Sequence, residues 1–137
     1  MVTESRLISC IVDTDILIDH LRGRQYAIRL LERWNESGLL AISVITQLEI
    51  YQGVRPDEVV RTDALLESPV SLDVDVSLAR LTGTLIGEFR RRGITVSMAD
   101  AIIGATALQR RVPLLTNNVR DYPFPELTLV EGYSAEQ

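Results

Sequence analysis

Residues 7–19 read LISCIVDTDILID, and the reading of this stretch decides the fold. Leu7, Ile8, Cys10, Ile11 and Val12 form a short, nearly continuous apolar run rich in β-branched residues, the pattern of a strand buried on both faces of a parallel sheet. Asp13 and Asp15 follow at once, flanking Thr14, and Ile16, Leu17 and Ile18 open a helix. Ligands of open parallel α/β sheets bind outside the carboxyl ends of the strands, so Asp13 falls where such proteins do chemistry. The same residue, or Thr14, also suits the plainer role of N-cap to the helix.

Outward from this stretch, strands and helices alternate. The first helix runs to about Leu21. Apolar residues at Tyr26, Ala27, Leu30, Leu31 and Trp34 mark an amphipathic helix over 26–34, closed by Ser37 and Gly38. A strand over 39–43, a helix over 46–52 with Gly53 as C-cap, and a helix opened by Pro56 and running to 66 come next. A strand over 69–74 precedes a helix over 76–92, which Gly93 stops. The helix over 97–111 is apolar almost all round and is therefore expected to be buried. Strands over 112–115 and 127–130 finish the pattern. The expectation is one α/β domain spanning 1–137, with its core over about 7–130, a parallel sheet of four or five strands covered on both faces, and a loosely ordered tail over 131–137.

Bulk properties narrow the function. The chain has 137 residues, 46% hydrophobic and 24% charged, as a globular domain does. No apolar run approaches the roughly 20 residues that span a bilayer, and the polar start at Met1–Arg6 has no signal pattern, so the expected location is cytoplasmic. The single Cys10 and single His20 exclude a zinc site built on those ligands. All 14 basic residues are Arg, against 19 acids, for a net charge of −5. A Walker lysine is thus absent, and any phosphate contact must come from a local patch.

Three acids beyond Asp13 stand where solvent is not expected. Glu49 follows Leu48 and lies four after Ile45, on the buried edge of its helix. Asp100 shares a stripe with Ile103, Gly104 and Ala107. Asp121 lies past the carboxyl end of strand four. Several buried carboxylates repel one another unless a cation compensates. With no His or Cys at hand, oxygen ligands suit Mg²⁺ or Mn²⁺, which activates water and stabilises displacement at a phosphodiester. Each acid has a plainer role available: Ser97-x-x-Asp100 fits a capping box, Glu49 an Arg pair and Asp121 a turn.

The segments IVDTDILID, SVITQLEIYQG, SMADAIIGATALQRRVPLLTNN and VRDYP, in this order from about Leu7 to Val130, resemble the PIN domain, most closely the VapC-like toxins of toxin-antitoxin pairs. The resemblance implies a three-layer α/β/α fold with a mostly parallel sheet and a Mg²⁺- or Mn²⁺-dependent endoribonuclease. It also implies a homodimer and inhibition by a cognate, VapB-like antitoxin. By this resemblance Asp13 is the first-strand acid, Glu49 the helix acid, Asp100 the acid of the A-D-A pattern and Thr116 the hydroxyl residue ending strand four. For the fourth acid the chain offers Asn118 where relatives often carry an acid, or Asp121 before Tyr122. Asp15 replaces the usual Ser or Asn and adds a carboxylate. The implied roles are direct metal ligation by Asp13 and Asp100, direct or water-mediated ligation by Glu49, and support from Asp121 or Asn118. Arg22, Arg24, Arg90, Arg91 and Arg92 are candidate RNA contacts.

Two other enzymes and one binding role fit parts of the pattern. Asp13-Thr14-Asp15 matches the D-x-D of a haloacid-dehalogenase-type phosphatase, and Asp73 or Asp75 the acceptor of a receiver domain. Both chemistries ordinarily use a lysine. A non-catalytic interaction domain would use the acids to grip an Arg-bearing partner, with apolar surface at 26–34 or 39–51 available to it.

Overall fold

The computed structural model describes residues 6–133. Strands β1 (Ile8–Val12), β2 (Leu39–Ser43), β3 (Val70–Leu72), β4 (Leu114–Thr116) and β5 (Leu129–Glu131) form one sheet in the order β3-β2-β1-β4-β5, every pairing parallel. Around it lie helices α1 (Thr14–Leu21), α2 (Gln25–Ser37), α3 (Val44–Tyr51), α4 (Val59–Glu67), α5 (Val76–Arg91) and α6 (Met98–Arg110).

Because side chains alternate along a strand, neighbouring residues serve two different cores. Cys10 and Val12 of β1, Ile42 of β2 and Leu115 of β4 pack with Ile16, Leu30, Ile50 and Leu66 from α1 to α4. Their sequence neighbours Ile11, Ala41 and Leu114 pack with Phe89 of α5 and Ile103 of α6 on the opposite face. Helices on both faces make a three-layer α/β/α fold, and they explain why β1 reads as unbroken apolar sequence. Cys10 is fully buried, which pushes its thiol up to about 11.

The chain moves outward from β1 to β2 and β3, then crosses back to lay β4 against the other side of β1. The carboxyl ends of β1 and β4 therefore flank the switch point of the sheet, where open α/β folds bind ligands.

Where boundaries differ from the sequence expectation, local chemistry accounts for it. The helix predicted over 56–66 is a 3-10 turn, Pro56–Glu58, leading into α4. Helix α3 starts at Val44 because Ser43 caps it, its Oγ accepting from the Ile45 N–H at 3.2 Å. Strand β3 ends at Leu72, and Asp75 caps α5 by accepting from the Leu78 N–H at 2.8 Å. Two residues of the expected loose tail are held firmly: Glu131 pairs with Thr116 in β5, and Tyr133 stacks on Tyr26 with ring centroids 4.5 Å apart. Residues 134–137 lie outside the described residues. Among the described residues no helix is long and apolar enough to cross a membrane.

Candidate active site

Asp13 is the first residue past β1 and is 5% exposed. Its N–H donates to Leu115 O at 2.9 Å, which locks it to the end of β4. Oδ1 accepts from the Thr14 N–H at 2.7 Å, the N-cap contact of α1. Oδ2 accepts from Thr116 Oγ1 and from the Tyr122 hydroxyl, each at 2.8 Å. Capping thus engages Oδ1 once, while Oδ2 takes both hydroxyls. Burial drives the Asp13 pKa upward, the three hydrogen bonds oppose it, and the charge of Asp100 adds to it.

Asp100 lies in the first turn of α6, where Ser97 Oγ accepts from its N–H at 3.1 Å. The capping contact seen in the sequence is therefore present, and it engages the backbone of Asp100. The Asp100 carboxylate is half-buried, with Oδ1 3.4 Å from the Tyr122 hydroxyl. Burial raises its pKa, and the Asp121 charge adds to the rise. Tyr122 is 3% exposed, so one enclosed phenol faces both carboxylates.

Glu49 is held by a different contact from the one expected. Leu48, which should have shared its buried edge, is 58% exposed. What holds Glu49 is Thr14, whose hydroxyl donates to Oε1 at 2.6 Å and lies 3.0 Å from Thr46 Oγ1. Thr14 thereby gives its N–H to one acid and its hydroxyl to another.

The remaining candidates are spread around this centre. Asp121 is exposed in a 3-10 turn, Val119–Asp121, and with Asp100 and Arg120 it lines a cleft of about 370 Å³. Asn118 is exposed, and its N–H donates to Thr116 Oγ1 at 2.9 Å, which orients the hydroxyl toward Asp13. Asp15 points elsewhere. Its carboxylate accepts from the N–H groups of Ile16 and Asn117, both at 2.8 Å, and burial followed by the charge of Asp13 pushes it up to about 7.

The candidate arginines divide. Arg24 donates to the Tyr133 hydroxyl at 3.0 Å and lies over the rings of Tyr26 and Tyr133, so it serves the fold. Arg92 lies 4.4 Å over the Phe89 ring; Arg90 and Arg91 are exposed beside it at the end of α5. Arg22 lines a second cleft, of about 390 Å³, together with Arg55, Arg61 and Glu49.

Sequence reasoning missed Tyr122, Thr14 and Asn117. Asn117 donates to the Tyr26 hydroxyl and accepts from the Tyr133 N–H at 3.0 Å, while Tyr26 donates to Asp19. The one sequence signal was adjacency to named candidates, Thr14 and Tyr122 to acids and Asn117 to Thr116 and Asn118, since their partners are set by strand register. Asp75, a receiver-type candidate, is committed to capping α5.

Among the described residues no group of three or more His, Cys, Asp or Glu forms a ready metal cage. The donor chemistry nevertheless fits a hard cation: Mg²⁺ is commonly held by one or two carboxylates with waters completing its shell. Asp13 and Asp100, both raised in pKa and facing one hydroxyl, are such a pair.

Known proteins share this arrangement of sequence and fold. The PIN domain model matches residues 10–127. Ribonuclease VapC19 of Mycobacterium tuberculosis is 36% identical over 119 residues, covering 85% of this chain and 95% of that protein. The tRNA(fMet)-specific endonuclease VapC of Shigella flexneri is 30% identical over 122 residues, covering 85% and 91%. Among solved structures, a toxin-antitoxin complex from Klebsiella pneumoniae superposes with a TM-score of 0.77 at 32% identity, covering 91% of this chain and 98% of that one. DNA-bound VapBC from Salmonella typhimurium gives 0.76 at 27% identity, covering 92% and 99%.

Proposed function

Since the chain belongs to the PIN domain family and is of VapC type, we propose that it is a divalent-metal-dependent endoribonuclease, the toxin of a VapBC pair, inhibited by a VapB-like antitoxin. The observation that carries this reading is the meeting of Asp13, from the end of the central strand, and Asp100, from α6, at one buried hydroxyl. The phosphatase and binding-only alternatives draw no support from the relatives.

In this proposal Asp13 and Asp100 hold Mg²⁺ or Mn²⁺, Glu49 ligates directly or through water, and Asp121 or Asn118 supports from the far side. When bound, the ion supplies Lewis-acid stabilisation of the charge that develops at the phosphodiester. The chain's own groups do the rest. Thr116 and Thr14 fix the Asp13 carboxylate, and the Thr14 hydroxyl holds Glu49. Arg22, Arg55 and Arg61, in the cleft that Glu49 also lines, bind flanking phosphates of the RNA. Arg90 and Arg91 remain candidates for more distant phosphates.

An antitoxin carrying an Arg would compete for the same carboxylates by charge-assisted hydrogen bonds. A homodimer of the partner-free chain belongs to the same proposal, and sedimentation equilibrium tests it.

The deciding experiment is cleavage of a panel of purified structured RNAs by partner-free protein, with Mg²⁺ or Mn²⁺, with chelator, and with Asp100→Asn alongside. Discrete cuts requiring both the metal and Asp100 are expected. Near-parental cleavage by Asp100→Asn, or no cleavage of any RNA by folded, metal-loaded protein, overturns the reading.

A further inference from the structure

We propose that Tyr122 is a positioning residue for the acid pair: its hydroxyl, 2.8 Å from Asp13 Oδ2 and 3.4 Å from Asp100 Oδ1, selects the lone pair of Asp13 that is left to ligate a divalent cation. The inference rests on the reading of Asp13 and Asp100 as the cation-holding pair.

An ionised carboxylate has about four lone-pair sites on its two oxygens. At Asp13, Oδ2 accepts from both Thr116 and Tyr122, and Oδ1 accepts from the Thr14 N–H. Three sites are used, and the one that remains is on Oδ1. Without the phenol a second site opens on Oδ2, on the side facing Asp100. The carboxylate would then have two ways to meet an ion, and the spacing of the pair would lose the group that both acids face.

The phenol is itself held in place. An added Cβ at Gly104, one turn beyond Asp100 on α6, would stand 3.4 Å from Tyr122 Cδ1 and 2.6 Å from Phe124 Cε2. The bare backbone at Gly104 thus lets the limb carrying both aromatic rings lie directly on the helix that carries Asp100. Packing alone needs only the ring, which a phenylalanine would supply. A buried hydroxyl costs free energy unless it finds a partner; its one hydrogen goes to Asp13 Oδ2 at 2.8 Å, with Asp100 Oδ1 3.4 Å away on the same hydroxyl.

The test is Tyr122→Phe, titrated calorimetrically with Mn²⁺ in the absence of RNA, with cleavage kinetics and melting measured beside it. Partners that orient a metal ligand typically contribute 10–100-fold in affinity or activity. The expected result is a Mn²⁺ dissociation constant raised about tenfold and a lower kcat, with the KM for RNA unchanged and the metal-free melting temperature held within a few degrees. Phe124→Leu disturbs the same packing without removing a hydroxyl, and should leave Mn²⁺ affinity within about twofold. Parental Mn²⁺ affinity in Tyr122→Phe overturns the proposal. So does failure of that variant to fold, because the hydroxyl would then be serving the core. Asp100→Asn separates this idea from its premise. If Asp100→Asn loses Mn²⁺ binding and cleavage while Tyr122→Phe matches the parent, only the role of Tyr122 fails; if Asp100→Asn keeps both, the site assignment itself fails.

Discussion

Thr116 donates its hydroxyl hydrogen to Asp13 Oδ2 at 2.8 Å, across 103 positions of sequence, while its oxygen accepts from the Asn118 N–H at 2.9 Å. The hydroxyl is therefore oriented from behind and aimed at the acid. Thr116→Val keeps the shape and removes the donor, leaving a buried carboxylate oxygen with one partner fewer. Cleavage should fall at least about tenfold and stability by about 1–3 kcal/mol, read by single-turnover kinetics and urea unfolding. Thr116→Ser should recover most of both; Ser and Val variants that behave alike would show that the hydroxyl is not the operative group.

Asp15 sets a pH dependence. An aspartate in the unfolded chain titrates near about 3.9, whereas burial, and then the charge of Asp13, push Asp15 up to about 7 in the fold. Between those values the folded chain binds the proton more tightly, so stability is greatest at the acidic end and declines as pH rises through about 7. Asp13 and Asp100 are displaced in the same direction and add to the trend. In chelator, the melting temperature should fall between about pH 5 and about pH 8, and Asp15→Asn should flatten the curve. A melting temperature that climbs over this interval contradicts the assignment.

Gly104→Ala tests the seat of the aromatic limb. Its methyl would start 2.6 Å from Phe124 Cε2, so that ring must move, while Tyr122 Cδ1, at 3.4 Å, comes into ordinary contact. The expected cost is about 1–3 kcal/mol, the usual range for overpacking, measured by denaturant unfolding. A neutral substitution would mean that the limb slides freely.

The arginine cleft makes a prediction about salt. Replacing Arg55 and Arg61 by Ala should raise the KM for RNA several-fold with kcat unchanged. It should also make the dependence of log affinity on log salt shallower, by about 0.7 for each single-strand phosphate that the variant no longer neutralises. Arg24→Ala should leave that slope alone and lower the melting temperature instead, because Arg24 is engaged with Tyr26 and Tyr133. Equal slopes in parent and double variant would remove the cleft from the substrate path.

The parallel sheet was legible because burial on two faces forces continuous apolar strands, as at 8–12, and because helix signals separate them. Asp13 and Asp100 were legible for the complementary reason: charge in an apolar neighbourhood needs a cause. What could not be read was partnership. Glu49 was placed by its supposed neighbour Leu48, which faces solvent, whereas its actual partner is Thr14, 35 residues earlier. Arg24 looks like any surface cation until Tyr133 comes back to lie beside Tyr26, a contact made by the register of β5 on β4. Tyr122 reads as an ordinary aromatic after a turn, and its partner Asp13 lies 109 positions earlier.

The crossing that returns β4 to the side of β1 has a consequence for how the protein is made. Asp13 leaves the ribosome before its partners Thr116 and Tyr122, which follow it by 103 and 109 positions. A nascent chain can pair β1 with β2 and β3 and still lack one wall of its acid site. Until β4 and Tyr122 have emerged and docked, Asp13 Oδ2 lacks both of its hydroxyl donors, so the acid pair cannot assemble during the earlier part of synthesis.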